Sequence, residues 1–501
     1  YQRQQQRRRE FTKRRSARRR DILQDSTDMV KGYLLRNRQT KKTRVFTLEE
    51  YARPHWFDSN GRPLTSRDPT GRFVNPWLSW STNGVHSIAS ILAWRYQRAV
   101  RQWKERGLMS ILPKDLPQLL FGSALAKSNP DKPQTTNRWK TPPPATEIQF
   151  TWIGHSTCLV QMGQATILTD PIFSHRCTPF PRLPGVGVAR EVPPSIGLED
   201  LPDKIDVCLI SHDHYDHMDQ LTILALRDRV QHWVLPQGLP QWLESRCSVD
   251  PNTMTELQWW ESVQLELVGG GSKEGGEWQI AKDGPSNNNS SSTMTITCCP
   301  AQHWSSRTFF DRCKRLWCGF AVETQTHAND KPVVQKFFFA GDTGMPRNEF
   351  PLFSQIGEFC GRGMYHQQPQ PTTYSNDKDK NASSAFHPFD LAAIPIGAYD
   401  PSFLMQEAHM NPSEAVHCAR QLQARKSVAI HWGTFALSEE PMEEPPLKLQ
   451  EALEMPKNEG IDFVALPIGG SLTIPAVGAE LAVGEKAERA LAETSGETKF
   501  A

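Results

Sequence analysis

From about residue 146 to 475 the hydrophobic positions fall in short runs rich in β-branched and aromatic residues, separated by Gly, Pro, Asp and Asn. This texture predicts strands at 147–153, 165–169, 205–210, 293–299, 333–339, 391–396 and 427–430. Between them the apolar spacing turns helical at 219–228, 238–246 and 412–424, with Pro412 suited to a first helical position. Strands on both sides of helical segments make a mixed α/β domain the expected class. Upstream, His86 to Arg106 places Ile88, Ile91, Leu92, Tyr96, Ala99, Val100 and Trp103 on one helical stripe, with arginines and lysine on the rest. Such a helix either lies on a membrane surface or packs on the main domain.

The pattern also marks where the domain stops. Residues 1–45 read as a basic disordered arm and 46–145 as a Trp- and Pro-containing extension. The catalytic body is expected at 146–475, and 476–501 is an Ala/Glu-rich tail. Two low-complexity insertions, 268–292 and 366–385, are expected to be surface loops. A chain of 501 residues thus resolves into one large domain with extensions.

Charge sharpens the division. Residues 1–20 hold nine Arg, one Lys and one Glu, whereas the whole chain carries a formal charge of only +2. A basic arm therefore precedes a mildly acidic body. The arm fits a solvated tail, an anionic membrane surface, or an organellar transit peptide, here mitochondrial. Its arginines have no interleaved aromatics, so nucleic acid is not an expected partner. No run of about 18 apolar residues occurs, so no transmembrane helix is predicted. The ten cysteines form no CxxC pair and several sit in apolar runs, which reads as reduced core thiols in an intracellular protein.

The chemistry begins where the apolar run 205–210 ends, at His212, Asp213, His214, Tyr215, Asp216 and His217. Imidazoles and carboxylates suit zinc and its neighbours. His212 and His214 alternate on a strand-end loop and can face one ion, while Asp216 and His217 on the following turn can reach a second. Asp219 suits the N-cap of the next helix, but capping does not call for three histidines. His303, Asp342 and His431 each follow an apolar run in the same way. The seven together are enough for two ions sharing one carboxylate.

The order HxHxDH, His, Asp, His resembles the metallo-β-lactamase superfamily. The segments GRFVNPW (71–77), TWIGHSTCLV (151–160), LTDPIFS (168–174), PAQHWSSRT (300–308), FFFAGDTG (337–344), FDLAAIPIGAYDP (389–401) and KSVAIHWGTFAL (426–437) are similar to the N-acylphosphatidylethanolamine-hydrolysing phospholipase D family. The resemblance covers roughly residues 70–475 outside the two insertions. It implies a four-layer αββα sandwich with an N-terminal extension and two Zn²⁺ per chain. His212, His214 and His303 would hold one zinc, Asp216, His217 and His431 the other, and Asp342 would bridge. It also implies a phospholipid substrate, peripheral association with a membrane surface, and pairing as a homodimer. Attack by a hydroxide held on the two zincs would release N-acylethanolamine and leave phosphatidic acid.

Asp216, Asp342 and His409 are then the expected catalytic residues, with His409 and Tyr215 touching substrate. Asp170 is expected to orient a ligand imidazole through its free N–H, and His155 to serve as a turn residue. Two other readings carry the same motif: a lactone or cyclic-phosphodiester hydrolase of this fold, and a non-catalytic membrane lipid sensor. A large apolar groove near the metals would favour the lipid, a small polar pocket the other hydrolases.

Overall fold

The computed structural model describes residues 57–77, 80, 138–140, 142–181, 183, 185–269, 276–281, 292–308, 310–328, 331–346, 350–361 and 388–476. The predicted helix at 86–106, the basic arm 1–45, the insertion 366–385 and the tail beyond residue 476 lie outside them.

Two sheets face each other. The first contains β1 (Glu147–Gly154), β2 (Thr157–Met162), β3 (Ala165–Thr169), β6 (Ile205–Leu209), β7 (Val230–Pro236), β8 (Met254–Leu257) and β17 (Ser471–Pro475), in the order 17-1-2-3-6-7-8. The second contains β9 (Ser262–Val268), β10 (Glu277–Ile280), β11 (Thr293–Cys299), β12 (Gly319–Ala328), β13 (Lys331–Phe339), β14 (Phe389–Pro395), β15 (Ala424–Ile430) and β16 (Phe463–Val464), in the order 10-9-11-12-13-14-15-16. A small hairpin of β4 (Arg176–Cys177) and β5 (Val188–Ala189) stands apart.

The two-residue period of the strands builds the layers. In β6, Val207 and Leu209 face the second sheet, where they join Ile296, Phe320 and Phe337, while Cys208 and Ile210 face outward. The outward core is closed by helices α1 (Gln220–Leu226) and α2 (Pro240–Cys247) through Ile223, Leu226 and Leu243. On the far side α3 (Leu352–Gly361), α5 (Pro412–Leu422) and α6 (Glu444–Leu453) bury Ile356, Val416 and Leu449. A short α4 (Ser402–Met405) lies between β14 and α5. The result is helices, sheet, sheet, helices: the αββα arrangement the resemblance implies.

The strands and helices predicted from residue 146 onward all occur, with ends moved by a few residues. Asp219 caps α1 through a bond from the Leu221 amide, and Asn411 with Glu414 forms a capping box on α5. One expectation fails. The insertion 268–292, read as a loop, contains β10, which pairs antiparallel with β9 and buries Trp278. Burial of one large aromatic ring outweighs the loop-forming composition around it. All ten cysteines are free thiols, nine of them buried.

The stretch 57–77 is a strap across one face. Asp58 and Asp68 each fold a turn by accepting backbone amides two and four residues on, from Asn60 and Arg62 and from Thr70 and Arg72. Trp77 then stacks on Trp259 with ring centroids 5.9 Å apart, and the Phe73 amide donates to the Cys313 carbonyl.

Candidate metal centre

The predicted ligands leave the C-terminal ends of β6, β11, β13 and β15, where the backbone is already fixed by the sheets. The loop after β6 is locked at Ser211. Its amide and hydroxyl donate to the two oxygens of Asp170 at 2.7 and 2.6 Å, and its carbonyl accepts from the Cys318 amide. Gly341, with φ 58°, lets the chain pass so close to Ser211 that an added Cβ would lie 2.6 Å from the Ser211 Cβ. Asp342 follows directly. His155, Asp170 and His431 also hold positive φ, at 52°, 33° and 61°. Left-handed backbone at non-glycine residues costs about 1–3 kcal/mol each and persists where the surroundings enforce it.

Three imidazole nitrogens converge first. His214 Nδ1 lies 2.8 Å from His212 Nε2 and 3.1 Å from His303 Nε2. In the second group Asp216 Oδ2 lies 3.4 Å from His217 Nε2 and 3.6 Å from His431 Nε2. Asp342 stands between the groups. Its Oδ2 is 3.1 Å from His217 Nε2, 3.7 Å from His303 Nε2 and 3.9 Å from His212 Nε2, and its Oδ1 is 3.1 Å from His431 Nε2. Tetrahedral zinc with bonds of about 2.0–2.1 Å places neighbouring donors a little over 3 Å apart. His217 Nε2, His431 Nε2 and Asp342 Oδ1 are buried with no hydrogen-bond partner. A cation satisfies all three at once, so the residues present fit a metal ion.

Outer partners fix which nitrogen faces inward. His217 Nδ1–H donates to Asp170 Oδ2 at 2.7 Å and His303 Nδ1–H to the Ala408 carbonyl at 3.0 Å. Ser211 Oγ gives its proton to Asp170, so the 2.9 Å contact with His212 is donated by His212 Nδ1–H. Each of these leaves a bare Nε2 for metal. Asp170 therefore does what the sequence suggested.

The electrostatics divide the same way. Burial, reinforced by neighbouring imidazoles, pushes His212 well down, and burial takes His214 and His303 to about 3. His217 and His431 feel the same burial, but the paired aspartates outweigh it, holding His217 well above its ordinary value and His431 at about 9. The two carboxylates thus draw positive charge to the very place where an ion would supply it.

His409 reaches the cluster, with Nδ1 3.7 Å from Asp342 Oδ2 and its ring 5.2 Å from those of both His303 and His431. Its side chain keeps 12% of its exposure, against 1% for Asp342, so it lies on the open side. Tyr215 does not join the convergent donors. Its hydroxyl donates to the Arg307 carbonyl and its ring receives the Arg307 guanidinium at 4.5 Å.

Two residues of this region escape a reading of the sequence. His155, expected only to turn the chain, also places Nε2 2.9 Å from Asp216 Oδ2. Asn75, within GRFVNPW, is buried and donates from Nδ2 to the His303 carbonyl at 2.7 Å. The signal for each was a polar residue fixed inside an otherwise apolar motif.

A cavity of about 650 Å³ opens beside His409. Asp400, Glu414, Glu440, Glu444 and Glu451 line it together with Tyr399, Lys448 and Met455. It has the size for a large ligand but is acid-lined rather than apolar.

Residues 165–360 and 372–432 match the family model described as a beta-lactamase superfamily domain. The chain is 35% identical over 328 residues to N-acyl-phosphatidylethanolamine-hydrolyzing phospholipase D 1 of Caenorhabditis elegans, covering 64% of this chain and 74% of that one. It is 29% identical over 309 residues to the mitochondrial N-acyl-phosphatidylethanolamine-hydrolyzing phospholipase D of Saccharomyces cerevisiae, covering 61% of this chain and 52% of the yeast protein. Among solved structures it is similar to a metallo hydrolase from Ignicoccus hospitalis, at 18% identity and a TM-score of 0.38 over 66% of this chain and 99% of that one. With the sandwich built and its candidate ligands gathered at the strand ends, the family-model match and the Caenorhabditis elegans relative place the chain in the N-acylphosphatidylethanolamine-hydrolysing phospholipase D family of the metallo-β-lactamase superfamily.

Proposed function

We propose that this hydrolase is a zinc-dependent phospholipase D that cleaves N-acylphosphatidylethanolamine to N-acylethanolamine and phosphatidic acid. The observation that carries the reading is the set of seven donors in two groups with Asp342 reaching both, in a chain related to enzymes of that name. Two zinc ions held there would lower the pKa of a water to roughly 7 and polarise a phosphoryl oxygen.

The protein's own part is positional. Asp342 fixes the spacing of the two groups, and Asp170 holds His217 in the tautomer that ligates. Asp216 completes the second group. His409, on the open side 3.7 Å from Asp342, contacts the substrate phosphoryl group or its departing alkoxide. Tyr215 contacts substrate through its ring edge in this reading, since its hydroxyl is engaged elsewhere.

The acyl chains belong at the membrane surface. Phe310, 82% exposed, follows the His303 loop, and Phe403, 63% exposed, precedes His409. No helix among the described residues is long and apolar enough to cross a membrane, so attachment is proposed to be peripheral. The basic arm and the mitochondrial relative support an intracellular, mitochondrial address. A homodimer follows from the family resemblance.

The polar lining of the cavity favours a second reading, a lactone or cyclic-phosphodiester hydrolase of this fold. One experiment separates them: zinc analysis of the full chain together with phospholipase D turnover of N-acylphosphatidylethanolamine in mixed micelles. Two zincs with release of N-acylethanolamine is the expected result. Two zincs with turnover of only small polar substrates refutes the lipid reading.

A further inference from the structure

We infer that His155 is the positioning residue of the second ion group: its imidazole holds the Asp216 carboxylate in place for metal without being a ligand itself. The inference rests on the two-ion reading of the centre, and not on the identity of the substrate.

The residue is fixed on several sides. Its amide donates to Thr434 Oγ1 at 2.7 Å. Its carbonyl accepts from the amide of His431 at 2.9 Å and from the Trp152 indole N–H at 2.8 Å. Its ring packs 4.1 Å from that of His431 and meets Phe435 edge-on at 5.2 Å. It is 2% exposed. From that fixed point Nε2 lies 2.9 Å from Asp216 Oδ2, whereas the ligand nitrogens of His217 and His431 lie 3.4 and 3.6 Å from the same oxygen. At 2.9 Å a carboxylate oxygen accepts from an imidazole N–H, so His155 Nε2–H can donate to Asp216.

Coordination argues the same way. Asp216, His217, His431 and the shared Asp342 already supply four protein groups. A fifth from His155 would exceed the four donors of a tetrahedral zinc. One residue thus ties the backbone of one ligand, His431, to the side chain of another, Asp216. The first group, His212, His214 and His303, has no such bond to His155. Loss of the imidazole should therefore weaken one ion and spare the other.

The test compares His155→Leu with His155→Gln in the full chain. The Gln amide can place an N–H donor near the position of Nε2. Zinc stoichiometry and affinity are read by competition with a chromophoric chelator, and the second site is followed by the visible spectrum of the cobalt-substituted protein. Thermal unfolding of the metal-free forms is recorded alongside. The expected result is that His155→Leu binds one zinc with unchanged affinity and the second about 10–100-fold more weakly. His155→Gln should recover most of that loss while its metal-free unfolding matches that of the Leu variant. Equal loss of the second zinc in both variants would show His155 to be a ligand and overturn the inference. Unchanged affinity for both zincs in both variants would reduce it to a turn residue. A wild-type protein that binds fewer than two zincs would instead remove the two-ion reading, and wild-type failure on the phospholipid would remove only the substrate.

Discussion

Replacing Asp170 by Asn keeps the shape of a fully buried side chain and changes one acceptor into a donor. Its carboxylate accepts three hydrogen bonds: from the Ser211 amide at 2.7 Å, the Ser211 hydroxyl at 2.6 Å and His217 Nδ1–H at 2.7 Å. The Ser211 hydroxyl can rotate and accept from the new amide group. The other two partners cannot both be satisfied. If the Asn oxygen faces the Ser211 amide, its NH₂ faces His217 Nδ1, which must then give up its proton. The proton moves to Nε2 and removes the lone pair that would bind metal. If the oxygen faces His217, the Ser211 amide is buried against a donor, a loss of about 1–3 kcal/mol. The first outcome predicts a second-group zinc affinity lower by about 10–100-fold, or about 1.4–2.7 kcal/mol. The second predicts destabilisation of similar size with the metal retained. Chelator competition and chemical denaturation of the metal-free protein measure the two quantities separately. A variant with wild-type zinc affinity and wild-type stability would refute the assignment of Asp170 as the acceptor that orders this loop.

Three further outcomes follow from the same geometry. Asp342→Asn should lose zinc from both groups and most of the activity, since the charged oxygens facing His217, His303 and His431 become a neutral amide; full activity with two zincs by metal analysis would contradict the bridge. His409→Ala should keep both zincs and lower turnover by about 10²–10⁴-fold, the span of positioned acid–base groups, and a zinc deficit would mean that His409 ligates. Asp311 is partly buried, which raises its pKa, but bonds from Arg315, Thr308 and Arg307 outweigh this and leave it below the ordinary 3.8. Its contribution to stability is therefore present above about pH 4 and lost as pH falls through the depressed value. The wild-type advantage over Asp311→Asn in thermal unfolding should be constant from pH 8 to pH 5, about 1 kcal/mol or less for a solvent-screened pair, and should shrink below pH 4. An advantage that grows on acidification would reverse the sign.

The candidate donors were legible because each follows an apolar run. His212, Asp342 and His431 stand just beyond β6, β13 and β15, where a buried strand must meet solvent and a polar residue marks the exit. Asp170 was legible for the same reason, at the end of β3. His155 and Asn75 were not, because their partners lie 61 and 228 positions away and only the closed sandwich brings them together. Among the strands that escaped the pattern, β9 and β12 have alternating or mixed composition. In β9, SVQLELV, the exposed and partly buried positions carry Ser, Gln and Glu, and β12 interleaves Glu, Gln and His with its apolar residues. Such segments have one face toward solvent and give no continuous apolar run. For β10 the local composition pointed the other way, and Trp278 prevailed. The helix at 86–106 and the basic arm are outside the described residues, so neither bears on this comparison.

The strap has a consequence for where this enzyme begins. The matched domain starts at residue 165 and the first strand of the sandwich at Glu147, yet Asn75 reaches the backbone of a candidate metal ligand, His303. Architecture and chemistry therefore have different borders. A fragment cut at the sandwich would keep every ligand and both sheets while leaving the carbonyl of His303 without its donor. Asn75 is anchored in turn by Phe73 on Cys313 and by Trp77 on Trp259. Removal of residues 57–77 is therefore expected to loosen the loop that carries one imidazole of the proposed first ion group.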